Sequence, residues 1–169
     1  MNKELLEKFK SVKFKTKAEI LNTPTFTIIC DSREQIPYLF HGYTCGVKKS
    51  GLKTGDYSIQ GYEQEICIER KSKEDLYSSL GQGRARFERE FIRMKDYQYK
   101  ALVIEAALGD VLTPPARSQM NPTSVLNSLI SWSIRYGVHI FFADTRHLAE
   151  ALIYQIFEKF LYNKNKKAA

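Results

Sequence analysis

One apolar segment, ALVIEA at residues 101–106, constrains the fold more than any other part of the sequence. An apolar run without polar alternation is typical of a central strand that helices cover on both faces. A second buried strand is predicted at residues 138–143, and the segment TFTIIC at residues 25–30 predicts a third. Strands that alternate with helices predict an α/β fold, in which a mixed central sheet is flanked by helices.

Two short strands, at residues 57–59 and 64–69, surround a turn at Gly61 and Tyr62 and predict a β-hairpin. Between the first strand and this hairpin, the sequence predicts only a loop that contains Pro37. Capping residues and helical apolar spacing predict helices at residues 72–81, 84–96, 123–136 and 145–161. In the third of these helices, we expect a packed face made of Val125, Leu126, Leu129, Ile130 and Ile134.

The length of 169 residues fits one domain, which we place at residues 25–162. A basic helix or linker at residues 1–24 precedes it, and a basic tail at residues 163–169 follows it. No apolar run approaches the ~20 residues that span a bilayer, so we expect no membrane association. Three cysteines without C-x-x-C spacing favour a reducing, cytoplasmic location over a disulfide framework or a zinc site.

The net charge of +7 and the pI of about 9.2 fit an anionic partner, of which nucleic acid is the commonest. The distribution of the charge is more informative than its sum. Residues 70–95 carry eight Lys or Arg against four Asp or Glu. The basic excess therefore lies close to the acidic residues that carry the predicted chemistry.

The chemically informative pattern is Asp56, followed thirteen residues later by Glu69-Arg70-Lys71. Because residues i and i+2 of a strand project from the same face, Glu69 and Lys71 point one way and Arg70 points the other. Asp56 enters the first strand of the predicted hairpin, where it can lie across from Glu69. We therefore expect two carboxylates and one ammonium group to converge.

This set of groups suits the hydrolysis of a phosphodiester bond. Mg²⁺ is commonly held by one or two carboxylates together with water and a substrate phosphate, and Mn²⁺ accepts similar oxygen ligands. A bound cation polarises the phosphoryl group and acidifies a water molecule, and a lysine stabilises the developing charge. We predict Asp56, Glu69 and Lys71 as catalytic residues, with Asp56 and Glu69 as ligands of Mg²⁺ or Mn²⁺.

The D…E-x-K spacing is that of the PD-(D/E)xK nucleases, although an exposed, salt-bridged strand can contain the same residues. Linked elements make the pattern more specific: Asp31-x-Arg33-Glu34, Gly55-Asp56-Tyr57, Glu69-Arg70-Lys71-x-x-x-Asp75-Leu76, and Ser79-Leu80 ahead of Gly83-Arg84. With these elements, residues 26–105 resemble the XPF-type nuclease family. The layout is similar to the compact, stand-alone members of that family in phage and bacterial proteins.

The resemblance implies a restriction-endonuclease-like three-layer sandwich that cuts DNA, extending to flap, fork or junction DNA in repair, recombination or replication. It places Asp31 near the metal and implies supporting roles for Arg33, Glu34, Arg70 and Asp75. It also implies a homodimer in the cytoplasm of a bacterial or phage-infected cell. We expect contacts with the DNA backbone from four basic residues: Arg84, Arg86, Arg89 and Lys73.

Several alternatives stay open at this point. Asp75 fits a helix cap as well as a metal contact, and the arginines fit a solvated helix face. Family members often have glutamine four residues after the arginine that matches Arg84, whereas this chain has Glu88. A non-catalytic DNA-binding module and an RNA-directed nuclease are the competing functions.

Two further expectations concern assembly. The last two helices carry apolar residues beyond the apparent needs of one core, which favours a homodimer: Trp132, Ile153, Phe157 and Phe160. Residues 1–24 fit a DNA-binding arm, a helix that docks a protein partner, or a disordered leader.

Overall fold

The computed structural model describes residues 26–116 and 118–168. Its sheet has six strands in the order β2-β1-β3-β4-β5-β6. The β1–β2, β4–β5 and β5–β6 pairs are parallel, and β1–β3 and β3–β4 are antiparallel, so the predicted mixed sheet and hairpin are confirmed. The strands are β1 (Phe26–Asp31), β2 (Cys45–Ser50), β3 (Tyr57–Ile59), β4 (Ile66–Lys71), β5 (Tyr99–Ile104) and β6 (His139–Phe142).

The helices follow the predicted positions closely, and their ends have the expected caps. The side chain of Asn121 accepts a hydrogen bond at the start of the fourth helix, and Gly137 ends that helix with φ of 65°. None of the helices in the described ranges has the length and apolarity to cross a membrane. The helices are α1 (Lys73–Leu80), α2 (Arg84–Met94), α3 (Leu108–Val111), α4 (Pro122–Tyr136) and α5 (Arg146–Ala168).

Side chains on the two faces of the sheet form two separate cores. On one face, Ile68 and Val103 pack with residues of α5 such as Phe157. On the other face, Leu102 and Ile104 pack with residues of α1, α2 and α4. Alternation along β4 and β5 supplies both cores, as expected for strands buried between helices. The result is the predicted three-layer α/β sandwich.

Three elements differ from the sequence-based expectation, and the first is the short helix α3, which lies in a segment predicted as a loop. Strand β2 was expected to be part of a loop. It lies at the edge of the sheet with all of its residues after Cys45 exposed, so its sequence lacks the apolar pattern of a buried strand. Helix α5 continues past residue 161 to Ala168, so most of the lysine-rich segment is helical. The expectations for residues 1–24 lie outside the described residues.

The expected apolar surplus on the last two helices is wrong. Trp132, Ile153 and Phe157 are at most 2% exposed, since aromatic residues of α2 and the apolar strand residues cover them. Conversely, Ile130 and Ile134 of α4 were expected to pack inside but are 49% and 80% exposed. The apolar residues of α4 that stay exposed to solvent are therefore Ile130 and Ile134, and Trp132 is not one of them.

The turn into β3 depends on Gly55. This residue has φ of 78°, and a Cβ atom placed there would lie 3.0 Å from the carbonyl oxygen of Ile68. A side chain would therefore meet the backbone of β4 just where the amide of Asp56 donates to that same oxygen at 2.8 Å. Glycine is required here both for the left-handed backbone and for the close approach of the two strands.

We predict that Gly55→Ala lowers the free energy of unfolding by about 1–3 kcal/mol, because both strain and strand separation act at this position. Urea denaturation measures the change. Gly51→Ala is the matched control, since no atom lies within 4 Å of its added Cβ, and it should change stability by less than about 0.5 kcal/mol. Equal effects of the two substitutions would contradict this explanation.

Candidate active site

Three acidic residues lie in a row across β1, β3 and β4. Cys30 pairs with Tyr57, and Tyr57 pairs with Ile68, so the next positions place Asp31 beside Asp56 and Asp56 beside Glu69. The amide of Asp31 donates to the carbonyl oxygen of Asp56 at 2.8 Å. The predicted convergence of Asp56 and Glu69 across the hairpin is therefore present.

These acids belong to a cleft between the ends of β1, β3 and β4, the loop after β1, and helices α1 and α2. Of the residues predicted from the sequence, the cleft contains all three catalytic candidates. The cleft is lined by Asp31, Arg33, Glu34, Gln35, Ile36, Gly55, Asp56, Glu69, Arg70, Lys71, Asp75, Ser78, Ser79, Gly83, Arg86, Phe87 and Glu90.

Asp56 and Glu69 are carboxylates held in a poorly solvated position. Burial and the neighbouring charge of Glu69 raise the pKa of Asp56 well above its usual value. Burial also raises the pKa of Glu69, although its ion pair with Lys71 acts in the opposite direction. The two acids therefore bind protons more tightly than free carboxylates do, and a divalent cation would compensate the same repulsion.

Lys71 completes the group. Its Nζ donates to Oε1 of Glu69 at 2.8 Å and lies 5.0 Å from the centre of the Phe87 ring. Burial lowers the pKa of Lys71, but the charge of Glu69 and the hydrogen bond outweigh it, so the net shift is upward. The side chain is therefore an ammonium group that is fixed beside the carboxylates.

The carboxylate of Asp31, which was predicted to lie near the metal, has a second role in the structure. Its Oδ1 accepts from the backbone N and the Nε of Arg33 at 2.8 and 2.7 Å. Its Oδ2 accepts from Nη2 of Arg33 at 3.0 Å and from the amide of Leu52 at 2.7 Å. Both oxygens are occupied by donors, and these hydrogen bonds outweigh burial to lower the pKa of Asp31. Asp31 therefore anchors the loop between β2 and β3, and its role toward a cation stays a prediction.

Arg70 supports Asp56 through its backbone and the loop after β1 through its side chain. Its amide donates to Oδ2 of Asp56 at 2.8 Å. On the opposite face of β4, its guanidinium group makes two 2.8 Å hydrogen bonds with the carboxylate of Glu105 and lies 3.7 Å from Oε1 of Glu34. The supporting roles predicted for Arg70 and Glu34 are consistent with this arrangement.

Glu105 was not identified from the sequence. It follows β5 and forms hydrogen bonds with the loop after β1, with β4 and with the start of α5. Besides Arg70, its Oε1 accepts from the hydroxyl of Tyr38 at 2.5 Å and from Arg146 at 3.2 Å. Arg146 also donates to the backbone oxygens of Ile36 and Pro37. The sequence signal that could have revealed this role is a carboxylate at the end of an otherwise apolar strand, because a buried carboxylate requires a cationic partner.

Asp75 belongs to the cleft but acts as a helix cap. Its amide donates to Oγ of Ser72 at 3.1 Å, and that hydroxyl donates to Oδ2 of Asp75 at 2.8 Å. Of the two alternatives that the sequence left open, the geometry favours the cap. The polar residues at the start of α1 therefore fix the wall of the cleft beside Lys71.

Helix α2 places one of its predicted DNA-contact residues at the cleft and turns another away from it. Arg84 points away, since its guanidinium group lies 4.9 Å from the Trp132 ring centre and donates to Ser128. Glu88 accepts from the hydroxyl of Tyr136 at 2.8 Å and lies outside the cleft. Arg86 and Glu90 line the cleft, at the same four-residue spacing. Arg84, a predicted DNA contact, is therefore turned away from the cleft, whereas the predicted contact Arg86 lies at it and Glu90 was not identified from the sequence.

The other basic candidates remain accessible. Arg86 and Arg89 are exposed on α2, and Lys73 is half-buried at the first residue of α1. Accessible guanidinium groups beside the cleft can meet phosphate oxygens.

The donor set fits a hard divalent cation. Asp56 and Glu69 supply carboxylate oxygens from adjacent strands, and magnesium sites commonly need no more than two carboxylates because water and substrate phosphate complete the shell. No group of three His, Cys, Asp or Glu side chains within residues 26–116 and 118–168 forms a complete cage. The arrangement therefore fits a cation that is shared with a substrate.

Comparison with known proteins agrees with the fold. The family model described as the ERCC4 domain matches residues 30–156. The 3′-flap repair endonuclease Xpf of Saccharolobus solfataricus is 30% identical over 145 residues, which cover 82% of this chain and 58% of that protein. The DNA repair protein rad16 of Schizosaccharomyces pombe is 33% identical over 97 residues, covering 56% of this chain and 11% of that protein.

Solved structures show the same fold. XPF from Aeropyrum pernix superimposes with a TM-score of 0.62 at 18% identity, covering 84% of this chain and 68% of that one. Its complex with DNA gives a TM-score of 0.62 at 19% identity, with coverage of 82% and 66%. The chain spans less than two thirds of the curated relatives that it matches.

We predict that Glu105→Gln lowers the free energy of unfolding at pH 7 by about 2–4 kcal/mol, because Arg70 loses its buried counter-charge. Hydrogen bonds from Arg70 and Tyr38 outweigh burial and lower the pKa of Glu105. The stabilisation is therefore present above the ordinary glutamate pKa of about 4.3 and is lost as the pH falls below it. Urea titrations of both proteins at several pH values measure this.

The matched control for this substitution is Glu88→Gln, which weakens a more exposed pair with Arg135 and should cost less than about 1 kcal/mol. A stability difference between wild type and Glu105→Gln that does not shrink in acid would contradict the assignment.

Proposed function

The chain belongs to the ERCC4 domain family of XPF-type nucleases, and we propose that it is a divalent-metal-dependent DNA endonuclease. The observation that carries the proposal is the meeting of Asp56, Glu69 and Lys71 in one cleft, with Nζ of Lys71 at 2.8 Å from Glu69. The two poorly solvated carboxylates are suited to a divalent cation, and the fixed ammonium group is suited to the negative charge of a phosphodiester.

In the proposed mechanism, Asp56 and Glu69 hold Mg²⁺ or Mn²⁺. The bound cation supplies Lewis acidity toward the phosphoryl group and acidifies a water molecule. Lys71 supplies positive charge to the non-bridging phosphate oxygens as negative charge develops there. The amide of Arg70, 2.8 Å from Asp56, keeps that carboxylate oriented across the hairpin.

We propose DNA with a flap, fork or junction as the substrate. The support comes from relatives: one is described as a 3′-flap repair endonuclease, and a structural relative is described in complex with DNA. Arg86, Arg89 and Lys73 are proposed to contact the DNA backbone next to the cleft, in repair, recombination or replication. We also propose that the protein acts in the cytoplasm of a bacterial or phage-infected cell. A protein partner that binds residues 1–24 is a further proposal.

The test of the nuclease proposal is a cleavage assay on flap, junction, linear duplex and RNA substrates with Mg²⁺, Mn²⁺ or chelator. We expect metal-dependent cleavage of DNA, and we expect Glu69→Gln and Lys71→Met to lose about 10²-fold or more of the rate, because each removes charge stabilisation at the phosphate. Glu88→Gln, which lies outside the cleft, is the control and should retain the rate.

No cleavage of any substrate with either cation would reject the enzyme proposal. Cleavage that survives both substitutions would instead reject the assigned residues, and cleavage confined to RNA would reject DNA as the substrate.

We also propose a homodimer, supported by an apolar stripe on α4. Leu126, Ile130 and Ile134 recur at four-residue spacing, and the last two are 49% and 80% exposed. Sedimentation equilibrium should show dimers whose dissociation constant rises at least about tenfold in Ile134→Glu, since each 1.4 kcal/mol of lost association energy is a factor of ten. Ile92→Glu on α2 is the control for an equally apolar position, 44% exposed. A wild-type protein that is monomeric at every concentration would reject the dimer.

A further inference from the structure

The cleft cannot attract DNA by its own charge. Six acidic and four basic residues line it, and the guanidinium group of Arg70 points to the opposite face of β4, so the acidic excess is at least two charges when the acids are ionised. Phosphates of the substrate are therefore repelled until a cation binds. Binding energy for DNA must come from basic surface outside the cleft.

One such surface lies on α2, where Arg86 and Arg89 are exposed. A second lies at the edge strand β2 and the loop that follows it, beyond β1 in the order of the strands. Lys48 and Lys53 are exposed there, and no acidic residue occurs in positions 44–55. Across the described parts of the chain, neither lysine has an ion-pair partner.

The register of β1 and β2 directs Lys48 toward the functional side of the sheet. Ile29 pairs with Lys48 and Asp31 pairs with Ser50, in parallel. Because side chains alternate, Lys48 shares the face of Asp31, whereas Lys49 shares the opposite face with the core residue Cys30. Lys48 therefore belongs to the surface that adjoins the cleft, and Lys49 does not.

Lys53 is held at the rim of the cleft by its two neighbours in sequence. Leu52 donates its amide to Asp31 at 2.7 Å, and its carbonyl oxygen accepts from Arg33 at 2.9 Å. On the other side, Thr54 is 3% exposed and lies 3.5 Å from the carboxylate of Glu90. The backbone is therefore anchored on both sides of an exposed lysine, which places its charge on a fixed support.

We propose that Lys48 and Lys53 form a second surface for duplex DNA, which we call the β2 flank. Three strand spacings of about 4.8 Å separate β2 from β4, so Lys48 lies roughly 14 Å from the strand that carries Glu69. Phosphates of one strand advance about 3.4 Å per nucleotide, so this span corresponds to about four base pairs. The duplex arm that leaves the cleft on the β2 side is held there.

A competing explanation is that lysines on an edge strand only prevent pairing with another sheet. That explanation requires charge on β2 but no contribution to DNA affinity. The two explanations differ in the salt dependence of binding, because only phosphate contacts release counterions from DNA. The proposal rests on DNA as the ligand, as proposed above, but not on cleavage.

The experiment measures the binding of a fluorescently labelled 30-base-pair duplex by anisotropy, in chelator and between about 50 and 300 mM NaCl. The test protein is Lys48→Gln/Lys53→Gln. We expect the slope of log K against log salt to become shallower by about 1.8, at about 0.9 for each lost phosphate contact. Lys48→Arg/Lys53→Arg should restore the wild-type slope, since it keeps both charges.

The matched control is Lys95→Gln/Lys159→Gln, which removes the same charge from exposed lysines of other surfaces. It should keep the wild-type slope, and equal thermal midpoints would show that both variants fold. An unchanged slope in the test protein, or the same loss in the control, would overturn the β2 flank. A protein that binds with these slopes but never cuts DNA would instead overturn the nuclease proposal.

Discussion

Asp56 and Glu69 share a cleft because β3 and β4 pair in one register, with Tyr57 opposite Ile68. A slip of one residue would turn Glu69 and Lys71 into the core beneath α5 and expose Ile68 instead. Two features hold the register: the glycine at position 55, which lets the strands approach, and the amide of Arg70, which binds the carboxylate of Asp56. The catalytic proposal depends on this short antiparallel pair more than on any helix.

Around the hairpin, the acidic residues fall into two groups that differ in how many hydrogen bonds their carboxylates accept. Asp31 and Glu105 are saturated by donors, and those hydrogen bonds lower the pKa of both. Burial raises the pKa of Asp56 and Glu69. Their carboxylates accept fewer hydrogen bonds than those of Asp31 and Glu105. The saturated acids hold loops and strands in place, whereas the unsaturated pair is costly for stability and available for a ligand. This contrast separates supporting from reactive carboxylates better than their position in the motif does.

The sequence was sufficient for the parts of the fold that local patterns determine. Apolar runs predicted β1, β5 and β6, and alternation along β4 put Glu69 and Lys71 on one face. Strand β2 was missed because an exposed edge strand containing Gly46, Lys48 and Lys49 has the composition of a loop. Glu105 and Glu90 were missed because their positions depend on contacts between distant segments and on helix rotation, whereas Arg86 was among the predicted DNA contacts. The same limit explains the buried Trp132, which α2 covers.

The central claim is that Asp56 and Glu69 together form the cation site, with Asp31 and Asp75 as structural neighbours. Anomalous scattering from crystals soaked in Mn²⁺ tests it directly, because the ion itself is located. We predict one peak between the carboxylates of Asp56 and Glu69, and its loss in Glu69→Gln. A peak at Asp31 or Asp75, with none between Asp56 and Glu69, would contradict the account.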